Sequence, residues 1–300
     1  MISLLLKQNT RAIFFSMTPF LGHQTSDDSA PPIVKPPMIS ILLGVYNGEN
    51  DLPQTLASIA HQTYTDWHVV AVDDGSCDRT YDVLAQFQKQ FPQKTTLLKN
   101  DQNMGLTKSL IKAAAVATGS YLARLDAGDE FLPAKLEKQI DFLEHHQDYG
   151  IIGCNYINTF LPSGKEKKSR LPIDNNDIQK TLIKKNPFAH SCVLIRKKIY
   201  TKAGGYDETI RYGQDYELWF RILRLSKGAN LSDHLCVRTI HTNHISLSLG
   251  YRKQRQQMWQ GMKTQWKYMS KKNAKHYLYM LGLLSLILIP DMIKKYLKKK

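Results

Sequence analysis

Cysteine is scarce in this sequence, and the few cysteines lie far apart. The chain has four in 300 residues, with no CxxC pair and no cluster of Cys and His: Cys77, Cys154, Cys192 and Cys236. Zinc sites usually take ligands from close pairs along the chain, and small disulfide-bonded domains are richer in cysteine. The sequence therefore argues against a zinc site and against disulfides, and it fits a reducing compartment.

Acidic residues are almost absent from the C-terminal end of the chain. Residues 251–300 contain thirteen Lys or Arg residues and a single acid, Asp291, and so hold a net charge of +12 out of the chain's +15. The first 250 residues therefore carry a net charge of about +3. Because a nucleic-acid-binding domain needs a basic stripe on its folded surface, this distribution argues against nucleic acid as a partner.

A hydrophobic run long enough to span a bilayer is also missing. The apolar segment at 277–290 has about 13 residues before Pro290, whereas a spanning helix needs roughly 20. The basic segment "DMIKKYLKKK" follows it and suits an anionic membrane surface, which attracts each Lys or Arg by about 1 kcal/mol. We therefore expect residues 251–300 to form a helical tail on the cytoplasmic face of the cell membrane. The alternatives are a membrane span and a helix that packs on the domain or on a partner chain.

Residues 1–37 show the pattern of an extension and a linker. The segment "MISLLLKQNTRAIFFSMTPFLG" is mildly apolar, but polar and basic residues from Lys7 to Arg11 interrupt it, so it does not read as a signal peptide. The Pro and Ser content of residues 23–37 opposes both helix and strand. The folded domain is expected to begin near Met38.

Strand-length and helix-length patterns alternate from Met38 onwards. Apolar runs such as "MISILLGVY" are typical of strands buried on both faces, and helical patterns separate them at intervals of 15 to 35 residues. This alternation predicts an α/β fold with a Rossmann-like, mostly parallel sheet flanked by helices. Ligands of such sheets bind outside the carboxyl ends of the strands. Three polar clusters fall at those ends and should line one crevice: Tyr46–Asn47, Asp73–Ser76 and Asp126–Asp129.

The second half of the domain is less regular. We expect a strand in "GIIGCNYI", a polar hairpin or loop in "SGKEKKSRLP", and a helix that ends at Gly204–Gly205. A further helix should begin in "GQDYELW".

The string "VDDGSCDRT" is the most specific short motif. Two acids at a strand end, followed by Gly and Ser in a turn, can accept hydrogen bonds from a nucleotide base or ribose. The alternative is a helix cap, because Ser76 or Asp78 could accept from the first backbone amides of the following helix. Capping leaves Asp73 and Asp74 unexplained, so the motif favours a nucleotide site.

The string "DAGD" offers two carboxylates, Asp126 and Asp129, at the end of the fourth strand. Carboxylate oxygens are hard ligands that suit Mg²⁺ or Mn²⁺, and such an ion could neutralise a departing diphosphate. A solvated turn explains the same residues equally well when the string is taken alone.

Three further side chains have both a structural and a chemical interpretation. Asp215 near a helix start is either a cap that interacts with the helix dipole or a general base that takes a proton from an attacking hydroxyl. His190 and His241 are either ordinary surface or core residues, or part of a return segment that closes over a phosphate site.

Together these strings resemble the family 2 glycosyltransferases, which have the glycosyltransferase-A fold. The similarity runs from about Met38 to Ser248 and rests on the order and spacing of five strings, listed here in chain order: "PMISILLGVYNGENDLPQTLASIAHQTY", "VVAVDDGSCDRT", "NMGLTKSLIKAAAVATGSYLARLDAGD", "NPFAHSCVLIRKKIYTKAGGYDE" and "GQDYELWFRI". The resemblance implies transfer of a sugar from a nucleotide-sugar, UDP-linked, to a hydroxyl group of a glycan or lipid-linked glycan, with inversion and with Mn²⁺ or Mg²⁺. It also implies a nucleotide-sugar-binding half at 38–130 and an acceptor-binding half at 131–250.

The resemblance also implies roles for particular residues on the donor side. Tyr46 would pack near the base, and Asp74, with Asp73, would bind the base or ribose. Glu49 lies in the same loop and would assist them. Lys108 is the candidate for the diphosphate.

The remaining implied roles concern the metal, the chemistry and the acceptor. Asp129 would bind the metal, supported by Asp126 on the donor side, and His241 would contact the metal or the diphosphate. Asp215 would be the general base. The acceptor side would be formed by His190, Trp219 and Arg221.

The sequence departs from the family pattern at two positions. Gly128 stands where many relatives have a third acid, and Gln214 replaces the acid that precedes the base. The alternative to an enzyme is a nucleotide-binding scaffold of the same fold that performs no chemistry. The joint presence of Asp74, Asp129 and Asp215 favours catalysis, because a scaffold needs no such set.

Overall fold

A computed structural model of the chain describes residues 38–241 and 247–268. The strands and helices within these ranges are, in chain order, β1 (Ile39–Val45), α1 (Leu52–Ala60), β2 (Trp67–Asp73), α2 (Thr80–Gln90), β3 (Thr95–Lys99), α3 (Leu106–Val116), β4 (Tyr121–Arg124), β5 (Asp129–Phe131), α4 (Lys135–His145), β6 (Tyr149–Leu161), β7 (Lys165–Lys168), α5 (Asn175–Leu182), β8 (Leu194–Arg196), α6 (Lys197–Lys202), α7 (Gln214–Leu225), β9 (Lys227–His241) and α8 (Leu247–Tyr268). Short 3₁₀ turns lie at Pro92–Lys94 and His190–Cys192.

The strands of the first half form a parallel sheet in the order β3-β2-β1-β4. All seven residues of β1 are buried, because helices cover both faces of the sheet. Successive side chains point to opposite faces, so Ile41 and Leu43 pack in one core and Leu42 in the other. The parallel arrangement brings the carboxyl ends of β1, β2 and β4 to one edge, as the alternating pattern predicts.

The sheet continues beyond β4 in the order β8-β6-β9-β5, with β7 paired to β6. The β4–β8, β8–β6 and β9–β5 pairs are antiparallel, whereas β6 and β9 run parallel. The predicted hairpin is present as β6 and β7. The 15-residue β9 and the short β5 have no counterpart among the predicted strands, and their pairing places Asp129 opposite Arg238.

The first part of the predicted tail packs on the domain as α8. Its Gln265 is buried and donates from Nε2 to the hydroxyl of Tyr216 on α7 at 3.0 Å. The ring of Tyr268 stacks on Phe220, with centroids 5.4 Å apart. None of the described helices has the length and apolar character needed to cross a membrane. The apolar segment at 277–290 and the extension at 1–37 lie outside the described residues.

Candidate active site

A cavity of about 640 Å³ lies at the carboxyl ends of β1 and β2, where the sequence predicts a ligand crevice. Five of the twelve predicted site residues belong to its walls: Tyr46, Asp74, Lys108, His190 and Asp215. The other seven all lie in the described residues and are not part of these walls: Glu49, Asp73, Asp126, Asp129, Trp219, Arg221 and His241. The cavity therefore brings together residues from both halves of the chain.

The Asp74 carboxylate holds the loop that forms one wall of the cavity. Its Oδ1 accepts from the Asn100 side chain at 2.7 Å and from the Met104 backbone at 2.9 Å. Its Oδ2 accepts from the Gly105 backbone at 2.8 Å, just before α3 begins. Asp74 is therefore buried and shapes the cavity through this loop as well as lining it.

The neighbouring Asp73 is fully buried and only partly satisfied. Its Oδ1 accepts from the Ser76 backbone at 3.1 Å, but Oδ2 has no hydrogen-bond partner among the described residues. A buried carboxylate oxygen without a donor is costly in an apolar interior. Asp73 is not part of the cavity walls, so its contact with a base or ribose stays a prediction.

Glycine is required in the middle of the "DDGS" turn. Gly75 has a φ of +72°, and a Cβ at this position would lie 2.4 Å from the carbonyl carbon of Gln102. The helix-cap alternative explains part of the string, since Asp78 Oδ1 accepts from the Thr80 backbone at the start of α2 at 3.0 Å. The cap interpretation therefore holds for Asp78, whereas the nucleotide site at Asp73 and Asp74 stays a prediction.

The predicted donor-side residue Glu49 has a structural partner. Its Oε2 accepts from the Arg79 backbone at 2.9 Å and lies 3.6 Å from the Arg79 Nε. Its own amide donates to Asp78 at 3.2 Å. Glu49 thus ties the loop after β1 to the start of α2, and the prediction of a direct ligand contact gains no support from its position.

The two acids of "DAGD" share a hydroxyl that the sequence did not single out. Ser191 Oγ lies 2.5 Å from Asp129 Oδ2 and 2.9 Å from Asp126 Oδ2. Arg124 forms an ion pair with Asp126, and Arg238 Nε lies 3.7 Å from Asp129 Oδ2. The solvated-turn alternative is therefore wrong for Asp129, which is buried within this network.

The two carboxyl groups have opposite pKa shifts. Burial alone would raise the pKa of Asp126, but the adjacent Arg124 guanidinium outweighs it and holds the pKa at about 2. Burial and the negative charge of Asp126 raise the pKa of Asp129 to about 6. A divalent cation would relieve the repulsion between the two groups, and their oxygens are the ligands that Mg²⁺ and Mn²⁺ prefer. The pair therefore fits a cation site.

The predicted metal ligand His241 lies next to an acid that the sequence analysis did not select. Its Nε2 is 3.2 Å from Oδ1 of Asp51. A Cβ at Gly128, the position where relatives carry a third acid, would lie 3.6 Å from the Asp51 Cβ. Asp51 therefore occupies the neighbourhood of the missing acid, and only the folded chain reveals it.

Asp215 lies in the first turn of α7 and belongs to the cavity wall. Its Oδ2 accepts a 2.7 Å hydrogen bond from the side chain of Asn186. Gly213 stands at the N-cap position of α7, which has no side-chain cap among the described residues. Asp215 is therefore not the side-chain cap of α7, although its place in the first turn still allows the interaction with the helix dipole. Its role as the general base stays a prediction.

His190 is held in one orientation against the cavity. Its Nε2 lies 2.7 Å from the hydroxyl of Tyr206, and the Trp219 ring packs edge-on at 6.2 Å. Burial, followed by the positive charge of Arg124, lowers the pKa of His190 to about 4, so the ring is neutral at pH 7. A neutral imidazole can donate or accept one hydrogen bond at the wall.

Neither Trp219 nor Arg221, which the resemblance assigns to the acceptor side, lines the cavity. Trp219 is fully buried, and its ring packs edge-on against His190 of the cavity wall. The Arg221 Nε donates to both carboxylate oxygens of Glu217 at 3.0 Å, one turn away on α7. Core packing and an intrahelical ion pair occupy these two side chains, and their role in shaping the acceptor side stays a prediction.

The family model described as "Glycosyl transferase family 2" matches residues 40–204, more than half of the chain. The chain belongs to glycosyltransferase family 2. This membership confirms the resemblance seen in the sequence strings. The matched region contains the β1–β4 sheet, the "DDGS" turn and the "DAGD" pair, whereas Asp215 and His241 of this family 2 glycosyltransferase lie beyond it.

Two curated relatives cover about two thirds of this glycosyltransferase. It is 37% identical over 202 residues to the amylovoran biosynthesis glycosyltransferase AmsE of Erwinia amylovora. This alignment covers 66% of this chain and 74% of AmsE. It is 32% identical over 203 residues to the putative glycosyltransferase EpsE of Bacillus subtilis (strain 168). This alignment covers 66% of this chain and 72% of EpsE.

Solved structures share the fold. The mannosyltransferase PcManGT from Pyrobaculum calidifontis, in complex with GDP-Man and Mn²⁺, superposes with a TM-score of 0.62 at 17% identity, over 87% of this chain and 73% of that one. S. aureus TarS 1–349 in complex with UDP gives a TM-score of 0.59 at 17% identity, over 82% and 70% of the two chains. The glycosyltransferase-A fold predicted from the sequence is thereby confirmed.

Proposed function

We propose that this family 2 glycosyltransferase transfers a sugar from a nucleotide-sugar, UDP-linked, to a hydroxyl group of a glycan or lipid-linked glycan, with inversion of the anomeric carbon. The observation that carries the proposal is the composition of one cavity. Asp74 and Lys108, from the nucleotide-binding half, share its walls with Asp215 from the other half. Donor and acceptor groups would meet between them.

The similar proteins support the class of donor and product. AmsE is named for amylovoran biosynthesis, and this supports a role in building a cell-surface polysaccharide or lipopolysaccharide. TarS has been solved with UDP and with UDP-GlcNAc, and PcManGT with GDP-Man. Among these, the UDP-bound neighbours support the UDP-linked donor predicted from the sequence.

The proposed chemistry is a single displacement with Asp215 as the general base. Asn186 orients the Asp215 carboxylate, which takes the proton from the acceptor hydroxyl. The acceptor oxygen then forms a bond to the anomeric carbon while the bond from that carbon to the nucleoside diphosphate breaks. Attack from the face opposite the leaving group inverts the configuration. Lys108 stands on the cavity wall as the cationic group for the diphosphate.

Asp129, with Asp126, would hold Mn²⁺ or Mg²⁺. When bound, such an ion supplies positive charge that stabilises the departing diphosphate. The residues of the chain prepare this site, since Ser191 fixes both carboxylates through one hydroxyl and Arg124 compensates the charge of Asp126. The PcManGT complex with Mn²⁺ supports a metal of this class.

We also propose that the C-terminal tail attaches the enzyme to the cytoplasmic face of the cell membrane. Trp259, Lys263 and Trp266 are exposed on α8 at i, i+4 and i+7, so they share one side of the helix. Exposed Trp with Lys is typical of segments that lie at an anionic membrane surface. The basic residues that follow would strengthen the attraction.

The test is a donor panel with the full-length protein. UDP should raise the melting temperature in Mn²⁺ and do so far less in EDTA, because a ligand that binds only the folded state stabilises it. Turnover of one UDP-sugar should give a product whose anomeric configuration, read by NMR, is opposite to the donor's. Equal stabilisation by UDP in EDTA would contradict the metal site, and retained configuration would contradict the single displacement. Binding of UDP without turnover of any donor on any glycan acceptor would favour the scaffold alternative.

A further inference from the structure

Three of the four cysteines meet in the core, although the sequence separates them by 38 to 82 positions. Cys154 comes from β6, Cys192 from the 3₁₀ turn before β8, and Cys236 from β9. Their Sγ atoms all lie within 4.8 Å of one another, and Cys154 and Cys236 are 3.8 Å apart. The sequence shows no cluster of cysteines, but the fold brings these three together.

The spacing of the three sulfur atoms matches a metal site and not a disulfide. A disulfide requires sulfur atoms about 2.05 Å apart. Three thiolates around one zinc ion, each at about 2.3 Å, lie roughly 4 Å from one another. The Cys154–Cys236 distance of 3.8 Å is close to that value, and no pair of the three sulfur atoms is more than 4.8 Å apart. All three side chains are fully buried, so no bulk water competes for a bound ion.

A buried cation beside the cluster lacks an anionic partner. Lys135 is fully buried, and its Nζ donates to Gln139 Oε1 at 2.8 Å and lies 3.9 Å from the centre of the Phe131 ring. Among the described residues, no carboxylate forms an ion pair with it. Gln139 in turn donates to the Cys192 carbonyl at 2.8 Å, which links Lys135 to the cluster. A buried charge without a counter-ion destabilises the fold, so a negative group bound beside Lys135 would be stabilising.

We propose that Cys154, Cys192 and Cys236 bind one divalent thiophilic cation, such as Zn²⁺ or Cd²⁺, as three thiolates. The three thiolates and the divalent ion carry a net charge of −1, and the Lys135 ammonium neutralises it. Each thiol gives up its proton to solvent when the metal–sulfur bond forms, so metal binding releases three protons. Soft thiolates prefer such ions over the hard Mg²⁺ or Mn²⁺ of the carboxylate site.

The proposed ion would have a structural role and would stabilise the turn that carries Ser191, next to the candidate active site. Cys236 Sγ lies 3.7 Å from the carbonyl of Ser191, and Ser191 Oγ holds Asp126 and Asp129. Cys192 is the next residue along the chain. A metal at the cluster would thus fix the turn that carries Ser191. The site does not depend on the proposed sugar transfer, since its ligands are outside the cavity walls.

Cd²⁺ is the probe for this proposal, because its bonds to thiolates absorb in the near ultraviolet. Since the thiols are buried, the ion has to enter during folding or local opening, so the full chain is produced in medium with added Cd²⁺ and purified under reducing conditions. We expect about one Cd²⁺ per folded chain by elemental analysis, with the charge-transfer absorption of three thiolates. A folded protein with no bound Cd²⁺ and no such absorption would overturn the proposal.

Variants assign the site to these side chains. Cys154→Ser and Cys236→Ser should lose the bound ion, while the control Cys77→Ser, at the exposed cysteine, should keep it. Loss of the ion in Cys77→Ser would overturn the assignment, as would a mass two hydrogens lower in the wild-type chain, which indicates a disulfide. Should the serine variants fail to fold, Lys135→Met preserves side-chain length and removes the charge. It should lower Cd²⁺ affinity in chelator competition about 10- to 100-fold, and an unchanged affinity would overturn the charge balance.

Discussion

The side-chain amide of Asn186 donates a 2.7 Å hydrogen bond to Oδ2 of Asp215. Asn186 is itself fixed, because its Oδ1 accepts from the Phe188 backbone at 3.2 Å. The hydrogen bond therefore restrains the orientation of the carboxylate at the cavity wall. A carboxylate held in this way would lose less entropy in taking a proton from a bound hydroxyl, as the proposed general-base role requires.

Asp215→Asn should abolish turnover and leave UDP binding intact. The amide has nearly the same shape as the carboxylate but cannot accept the proton, and general-base assistance is worth about 10²- to 10⁴-fold in rate. Initial rates and UDP thermal shifts on the same preparation separate the two effects. Turnover at the wild-type rate would exclude Asp215 as the base.

Asn186→Ala should lower kcat less than Asp215→Asn does. The base is retained, but its orientation is lost, so we expect a decrease of about 10-fold, in line with one hydrogen bond to a charged group. The KM for the donor should stay the same, because Asn186 contacts Asp215 and is not one of the residues that line the cavity. A variant that changes only donor KM would place Asn186 in donor binding instead.

The parallel half of the fold could be predicted from sequence because its strands are continuous apolar runs that helices cover on both faces. The strands β5 and β9 could not, since their pairing joins positions 129 and 238 and leaves no local pattern. The same limit explains the site. Tyr46, Asp74 and Asp215 stand in recognisable strings, whereas Ser191 and Arg238 are ordinary residues until the fold places them beside Asp129.

The pKa of Asp129 predicts that its ionisation destabilises the protein. A carboxyl group with an unfolded pKa of about 3.9 and a folded pKa of about 6 stabilises the fold below pH 4, and this contribution is lost as the pH rises through 6. The difference corresponds to about 3 kcal/mol. Asp129→Asn should therefore raise the free energy of unfolding at pH 7.5 in EDTA by up to about 3 kcal/mol, measured by urea unfolding, with little effect at pH 4.

Asp126→Asn is the matched control for that experiment, with the opposite sign. The pKa of Asp126 is held at about 2, so its charge contributes stability above pH 4 that is lost as the pH falls through 2. Asp126→Asn should therefore lower the free energy of unfolding at pH 7.5. Stability changes of the same sign in both variants would show that the network around Ser191 is assigned incorrectly.

Gly75→Ala should destabilise the nucleotide turn. The new Cβ would lie 2.4 Å from the carbonyl carbon of Gln102, in addition to the strain of a φ of +72°. The matched control is Gly164→Ala, at a φ of +67°, where the added carbon would have no atom within 4 Å other than those of its chain neighbours. The control should cost only the strain, about 1–2 kcal/mol. Gly75→Ala should cost more and also weaken UDP binding; equal losses in both variants would mean that the turn relaxes without consequence.

Removal of residues 269–300 should release the protein from anionic membranes without unfolding it. A chain that ends at Tyr268 keeps the hydrogen bond from Gln265 to Tyr216 and the stacking on Phe220, so α8 should stay docked. It loses eight lysines, each worth about 1 kcal/mol near an anionic surface, so binding to phosphatidylserine vesicles should fall by more than about 100-fold.

Salt and a second variant identify which forces carry that membrane attachment. Binding of the full chain should weaken as the salt concentration rises from 0.1 to 1 M, where the Debye length falls from about 10 Å to about 3 Å. Trp259→Ser in the full chain should weaken vesicle binding further, because it removes an aromatic anchor from the exposed side of α8. If the chain that ends at Tyr268 binds vesicles as tightly as the full chain, the membrane contact lies on α8 or before it, and residues 269–300 do not contribute to binding.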